Sequence, residues 1–235
     1  MVKSKTMIAI VDYGMGNIRS VEKGFIKAGA DVRITADPKV IADAKGIVLP
    51  GVGAFKDCMK NLDNLNLLDS IVKEIRKGKP YLGICLGLQI LFTESEEFGI
   101  CKGLDVFKGK VIKFRSQKSD NRKQTTEEKS LSSVFCALSS GLKIPHMGWN
   151  TVKLLKRPPI FDGIQDNSYF YFVHSYYVVP EDKDIVAGTT DYGIEFTSMV
   201  WKDNVFATQF HPEKSQELGL KILRGFKEFV MNNEH

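Results

Sequence analysis

Residues 81–89 read YLGICLGLQ. A short apolar run leads in, and Cys85 stands between Gly83 and Gly87, each two residues away. A buried structural cysteine has no need of that frame. A strand passing at once into a helix does, because one residue is left on a tight turn and its neighbours two positions away must be small to avoid collision. Such a turn lifts the sulfur to the carboxyl edge of the sheet, where open α/β sheets place their sites. The free N–H groups of the following helix, and the positive end of its dipole, favour the thiolate, which is the nucleophilic form. Taken alone, the stretch fits a small buried cysteine among packing glycines about as well, so the rest of the chain has to decide.

The surroundings alternate. TMIAIVDYG (6–14), DVRIT (31–35), KGIVLP (45–50) and YLGI (81–84) have the character of buried strands. NIRSVEKGFIKAGA (17–30) and LLDSIVKEIRKGKP (67–80) are amphipathic and end near glycine or proline, and LGLQILFTES (86–95) reads as a further helix. This pattern predicts an α/β fold, a mostly parallel sheet flanked by helices. The second half is β-rich, in KVIKF (110–114), NTVKLL (150–155), YFYFVHSYYVV (169–179), DIVAGTT (184–190) and TSMVWKDNVFATQF (197–210). QELGLKILRGFKEFV (216–230) closes it as a helix.

The chain has 235 residues, 43% of them hydrophobic, enough for one sizeable core and read as one domain over 1–235. A polar stretch from about 115 to 140, including RSQKSDNRKQTTEEKS, has no apolar period and reads as an inserted loop. No apolar run approaches the ~20 residues needed to cross a bilayer, and the basic N-terminus lacks a signal-peptide pattern. The four cysteines are far apart and form no CxxC pair, which argues against zinc or a disulfide framework and for the cytoplasm. A net charge of +5 spread along the chain gives no footprint for nucleic acid. No metal or cofactor is expected.

A nucleophile needs a base, and the base an orienting group. At the end of an apolar run stands His211-Pro212-Glu213. Residues two apart in an extended chain point the same way, so Glu213 is placed to hold the imidazole of His211. The competitors, His146 and His174, have no carboxylate two residues away and read as structural or substrate-lining. Oxyanion donors are also required, and LPGVGAF (49–55) offers exposed backbone N–H groups after a strand, although it also fits an ordinary glycine turn.

With Cys85, His211 and Glu213 together, the chain resembles the class I (triad) glutamine amidotransferases, and among these the glutaminase subunits of imidazole glycerol phosphate synthases. DYGMGN (12–17), LPGVGAF (49–55), GICLGLQ (83–89), PHMGWN (145–150), FVHSYY (172–177) and FHPEKS (210–215) match that pattern in order. The resemblance implies a flavodoxin-like core in which Cys85 attacks the amide of glutamine, His211 shuttles the proton and Glu213 orients it. It implies an oxyanion hole at Val52 and Leu86, and glutamine-holding positions at Gly51, Gly53, Gln89, Ser175 and Tyr176. It further implies a heterodimer with a (β/α)8 cyclase subunit, contacted through Asn17 and Trp149, that uses the ammonia in histidine biosynthesis; core packing is the alternative role for Trp149. The inserted stretch departs from the pattern and leaves the acceptor open, since relatives with these motifs feed ammonia to a sugar nucleotide in surface polysaccharide pathways. A non-catalytic regulatory module and a stand-alone cysteine hydrolase are the other readings. The intact triad speaks against the first and the DYGMGN and PHMGWN motifs against the second.

Overall fold

A computed structural model describes residues 7–114 and 142–233, so the inserted stretch lies outside the described residues. In chain order the first half runs β1 (Ile8–Val11), α1 (Ile18–Lys27), β2 (Val32–Thr35), α2 (Pro38–Asp43), β3 (Gly46–Gly51), α3 (Phe55–Asn64), α4 (Leu68–Arg76), β4 (Tyr81–Cys85) and α5 (Leu86–Gln89). There follow β5 (Phe92–Ser95), β6 (Cys101–Lys102), β7 (Phe107–Lys113), β8 (His146–Leu154), β9 (Ser168–His174), β10 (Tyr176–Pro180), β11 (Val186–Asp191), β12 (Glu195–Lys202), β13 (Val205–Thr208) and α6 (Gln216–Asn232).

The parallel part of the sheet has the order β2-β1-β3-β4-β13. Every residue of β1, β3 and β4 is buried, which is why these strands read as unbroken apolar runs. Successive side chains leave opposite faces. Ala9, Val11, Ile47 and Leu49 pack with α2, α3 and α4 through Ile41, Phe55, Leu62 and Ile71. Ile8, Ile10, Val48 and Ile84 pack on the other side with α1 and α6 through Val21, Phe25, Leu223 and Phe226. From β13 the sheet continues antiparallel through β12, β10 and β7, with β11, β8 and β9 attached at β12.

Two readings of the sequence change. The segment 86–95 is not one helix: a single turn, Leu86–Gln89, gives way to strand β5. Leu91 and Phe92 are fully buried, and an apolar run that short has no period to separate a buried helix from a buried strand. The macrodipole expected at Cys85 shrinks accordingly, since four residues align few peptide units. The structure adds two helices to those the sequence pattern predicts, α2 and α3, with Phe55, Cys58 and Leu62 of α3 buried at helical spacing.

Candidate active site

Three neighbouring strands decide the site. In register, Gly51 at the end of β3 lies beside Cys85 at the end of β4, and Ile84 lies beside Thr208 at the end of β13. The loop after β3, the elbow after β4 and the segment after β13 therefore leave the sheet at one edge.

Cys85 itself adopts φ 56°, ψ −102°, a left-handed conformation that a non-glycine residue keeps only when its surroundings impose it. The two glycines show how. A Cβ on Gly83 would lie 2.4 Å from the carbonyl oxygen of Gly87, and one on Gly87 would lie 1.9 Å from that of Leu49. Backbone meets backbone at both places, so no side chain fits and the turn stays tight.

Cys85 opens onto a cavity of about 450 Å³ that Val52, Gly53, Leu86, Gln89, Ser175 and Tyr176 also line. Of the residues expected to bind substrate or donate to an oxyanion, only Gly51 is missing from the wall, and it adjoins Cys85 in register. The cavity also exposes Glu97, Lys214, Pro145, Val173 and His174. Glu97 and Lys214, its charged residues, escaped the sequence reading because only the fold brings them there. Glu97 accepts the N–H of Phe55 at the start of α3, at 2.7 Å, and Lys214 lies 5.6 Å from the ring of Tyr171.

His211 follows β13 and precedes a short 3₁₀ turn, Pro212–Lys214. Its Nδ1–H donates to Glu213 Oε1 at 2.8 Å, and the two side chains are 2% and 1% exposed. The expected pairing is present, but the turn started by Pro212, not an extended strand, folds Glu213 back. The backbone is held by His211 N–H to the Tyr171 carbonyl at 2.9 Å and by the Ser215 hydroxyl to the His211 carbonyl at 2.7 Å. Nε2 is buried, and no hydrogen-bond partner reaches it among the described residues. Burial would depress the pKa of His211, but the charge and contact of Cys85, followed by the Glu213 carboxylate, outweigh it and hold the imidazole well above its ordinary value.

His146 and His174 form a separate chain. His174 Nδ1–H donates to the Tyr176 carbonyl at 2.8 Å, His146 Nδ1–H to His174 Nε2 at 2.9 Å, and the Asn150 amide to His146 Nε2 at 3.2 Å. A carbonyl only accepts, so the order of donors fixes both rings as neutral tautomers. Burial pushes their pKa values down to about 4 for His146 and about 3 for His174. Neither is suited to hold a proton at neutral pH.

Asn17 and Trp149 stand outside the cavity wall. Asn17 is exposed at the start of α1. Trp149 is 46% exposed on β8, its ring edge-on to Tyr171 at 6.2 Å, which rules out core packing as its main role. Met147 and Tyr169 are exposed nearby on the same hairpin. Among the described residues no cluster of His, Cys, Asp and Glu could hold a metal, and no helix is long and apolar enough to cross a membrane.

The chain has known relatives. The family model of glutamine amidotransferase class-I matches residues 9–228. Imidazole glycerol phosphate synthase subunit HisH of Geobacter sulfurreducens is 50% identical over 223 residues, which are 95% of this chain and 99% of that protein. The HisH subunit of Syntrophotalea carbinolica is 51% identical over 220 residues, 94% of this chain and 98% of that one. Among solved structures, PurLQS from Thermotoga maritima superposes with a TM-score of 0.66 at 16% identity over 97% of this chain and 99% of that one. The glutaminase domain of Trypanosoma brucei CTPS gives 0.63 at 16% identity, covering 98% of this chain and 95% of that one; both are likenesses of fold. A match over almost the whole chain, at half its residues, means that the chain belongs to the class-I glutamine amidotransferases, in the branch of the imidazole glycerol phosphate synthase HisH subunits.

Proposed function

We propose that this chain is the glutaminase subunit of an imidazole glycerol phosphate synthase, with Cys85 as nucleophile, His211 as acid and base, and Glu213 as its orienting carboxylate. The observation that carries the assignment is the strained elbow of Cys85 on the wall of a cavity, next to a buried His211–Glu213 couple. The proton of Cys85 passes to His211 Nε2, giving a thiolate and an imidazolium braced by Glu213. The sulfur adds to the side-chain amide carbon of glutamine, and the oxyanion that forms is met by the backbone N–H groups of Val52 and Leu86. His211 returns its proton to the leaving nitrogen, the C–N bond breaks and ammonia departs. Water, deprotonated by His211, then opens the glutamyl thioester to glutamate and restores the thiol.

Glu97 offers a carboxylate to the α-ammonium of glutamine. Gln89, whose Nε2 hydrogens are both engaged inside the protein, offers its carbonyl oxygen. Ammonia passes to a (β/α)8 cyclase subunit that contacts the exposed Asn17 and Trp149, with Met147 exposed beside Trp149 on β8. There it enters imidazole glycerol phosphate and an aminoimidazole carboxamide ribotide, a step of histidine biosynthesis. The test is reconstitution with a cyclase subunit and its phosphoribulosyl substrate. Glutamine-dependent product supports the assignment. Glutaminase activity that drives no such synthesis would move the acceptor elsewhere, to a sugar nucleotide for instance, while leaving the triad in place.

A further inference from the structure

Gln209 is fully buried two residues before His211, and the reaction as described gives it no role. Its Nε2 lies 3.4 Å from Cys85 Sγ, and its Oε1 accepts from Gln89 Nε2 at 3.1 Å. Gln89 Nε2 also donates to the Tyr176 carbonyl at 3.1 Å. That carbonyl settles which way each amide faces. It can only accept, so Gln89 must turn its nitrogen toward it. Gln89 then presents its other N–H to Gln209, so Gln209 turns its oxygen there and its nitrogen toward the sulfur.

We infer that Gln209 is a positioning residue for the nucleophile: its side-chain N–H, aimed by Gln89, holds Cys85 Sγ in place and stabilises it as the thiolate. This rests on Cys85 being the nucleophile. Hydrogen bonds to an ionised acceptor are roughly twice as strong as neutral ones, so an N–H favours S⁻ over SH. Apart from His211, which takes the thiol's proton, the other contact of the sulfur among the described residues is weak, the Val173 carbonyl at 3.9 Å. Among the described residues the other titratable groups about the sulfur are His211 and Glu213 after β13, His174 on β9 and Tyr13 after β1, with Glu97 and Lys214 across the cavity. Substitution at position 209 changes none of them chemically.

The test replaces Gln209 by Met, close in shape but without a donor, and by Glu, which sets a carboxylate beside the sulfur. Alkylation of Cys85 by iodoacetamide, read on its own peptide by mass spectrometry, gives the thiolate titration without calling on glutamine turnover. The midpoint is expected to rise by about one pH unit in Gln209→Met, a tenfold loss of thiolate below it, and further in Gln209→Glu. Turnover at neutral pH should fall about tenfold in kcat with KM changed less than twofold. An alkylation profile in Gln209→Met that overlies the native one overturns the inference. Should neither variant fold, the native protein decides: the Gln209 side-chain amide proton must shift in NMR spectra as Cys85 titrates, and an amide blind to that titration overturns it equally. Failure of the glutaminase assignment would appear separately, as no glutamine turnover by native protein assembled with the cyclase subunit and its acceptor, while the alkylation profile still responds to position 209.

Discussion

Gly87 shows how much chemistry one missing side chain can carry. The elbow needs Cys85 at φ 56°, and the chain keeps that conformation only because Gly83 and Gly87 let backbone approach backbone. Gly87→Ala drives a Cβ to 1.9 Å from the Leu49 carbonyl, a contact that no rotamer change relieves. Overpacking of this kind costs about 1–3 kcal/mol, and a ~1 Å shift of a reacting group costs on the order of 10² in rate. Gly87→Ala should therefore lower the denaturation midpoint and cut glutamine turnover at least about a hundredfold; normal values of both would refute the elbow account. Cys85→Ala should be the cleaner loss. Glutamine-dependent synthesis by the assembled synthase disappears while synthesis from added ammonium salt persists, and survival of glutamine use would remove Cys85 from the mechanism. At this scale the sequence was most legible where chemistry depends on close spacing, as in Gly83-x-Cys85-x-Gly87 or His211-x-Glu213. Gln209 was invisible because its partner Cys85 lies 124 residues away, and Glu97 for a similar reason.

The β8–β9 hairpin sets His146 opposite His174 and supports a stability prediction. The unfolded rings titrate near 6.5, and the folded ones at about 4 and about 3. Between those values the unfolded chain binds protons that the folded chain refuses, so stability must drop as pH falls from about 6.5 toward 3. His211 works with the opposite sign. Its raised pKa gives stability in full below about 6.5 and loses it as pH rises toward the folded value, so it adds no slope on the acid side. The urea midpoint should thus be lower at about pH 4.5 than at about pH 7, and His146→Gln, one titrating ring fewer, should make the fall shallower. Identical slopes would show that the pair is not the source. Elements are unevenly legible too. The parallel strands declared themselves because both faces are buried. The run after Cys85 misled because four helical residues and a buried strand share one apolar stretch, Leu86 to Phe92.

The whole molecule gathers a site that no segment contains. Adjacent ends of β3, β4 and β13 bring together residues from the first, second and last thirds of the chain, and the loop before α1 then joins them from outside. Tyr13 donates to the Pro50 carbonyl at 3.0 Å, Gly16 leaves only 3.6 Å between that oxygen and a would-be Cβ, and the end of the Met15 side chain fills the space beside Gly53. The exposed Asn17 terminates the same loop. A partner that bore on Asn17 would press, through the Gly16 and Met15 contacts, on the segment that carries Val52. Tyr13 pins the Pro50–Gly51 peptide, and a turn of the Gly51–Val52 peptide would exchange a carbonyl for an N–H toward the developing oxyanion. A misdirected donor typically costs about 10²–10³ in kcat. The isolated chain should accordingly hydrolyse glutamine slowly, and partner plus acceptor should speed it at least about tenfold, roughly 1.4 kcal/mol of barrier. Gly51→Ala tests the turn, because glycine permits the ψ change that alanine resists. Its Cβ would also meet the Tyr13 hydroxyl at 2.6 Å and Leu86 Cβ at 2.7 Å, so stability has to be measured beside activity. The expected result is a folded variant whose stimulation falls more than its affinity for glutamine. Full activity in the native chain alone would dismiss the gate, yet leave Cys85, His211 and Glu213 where they stand.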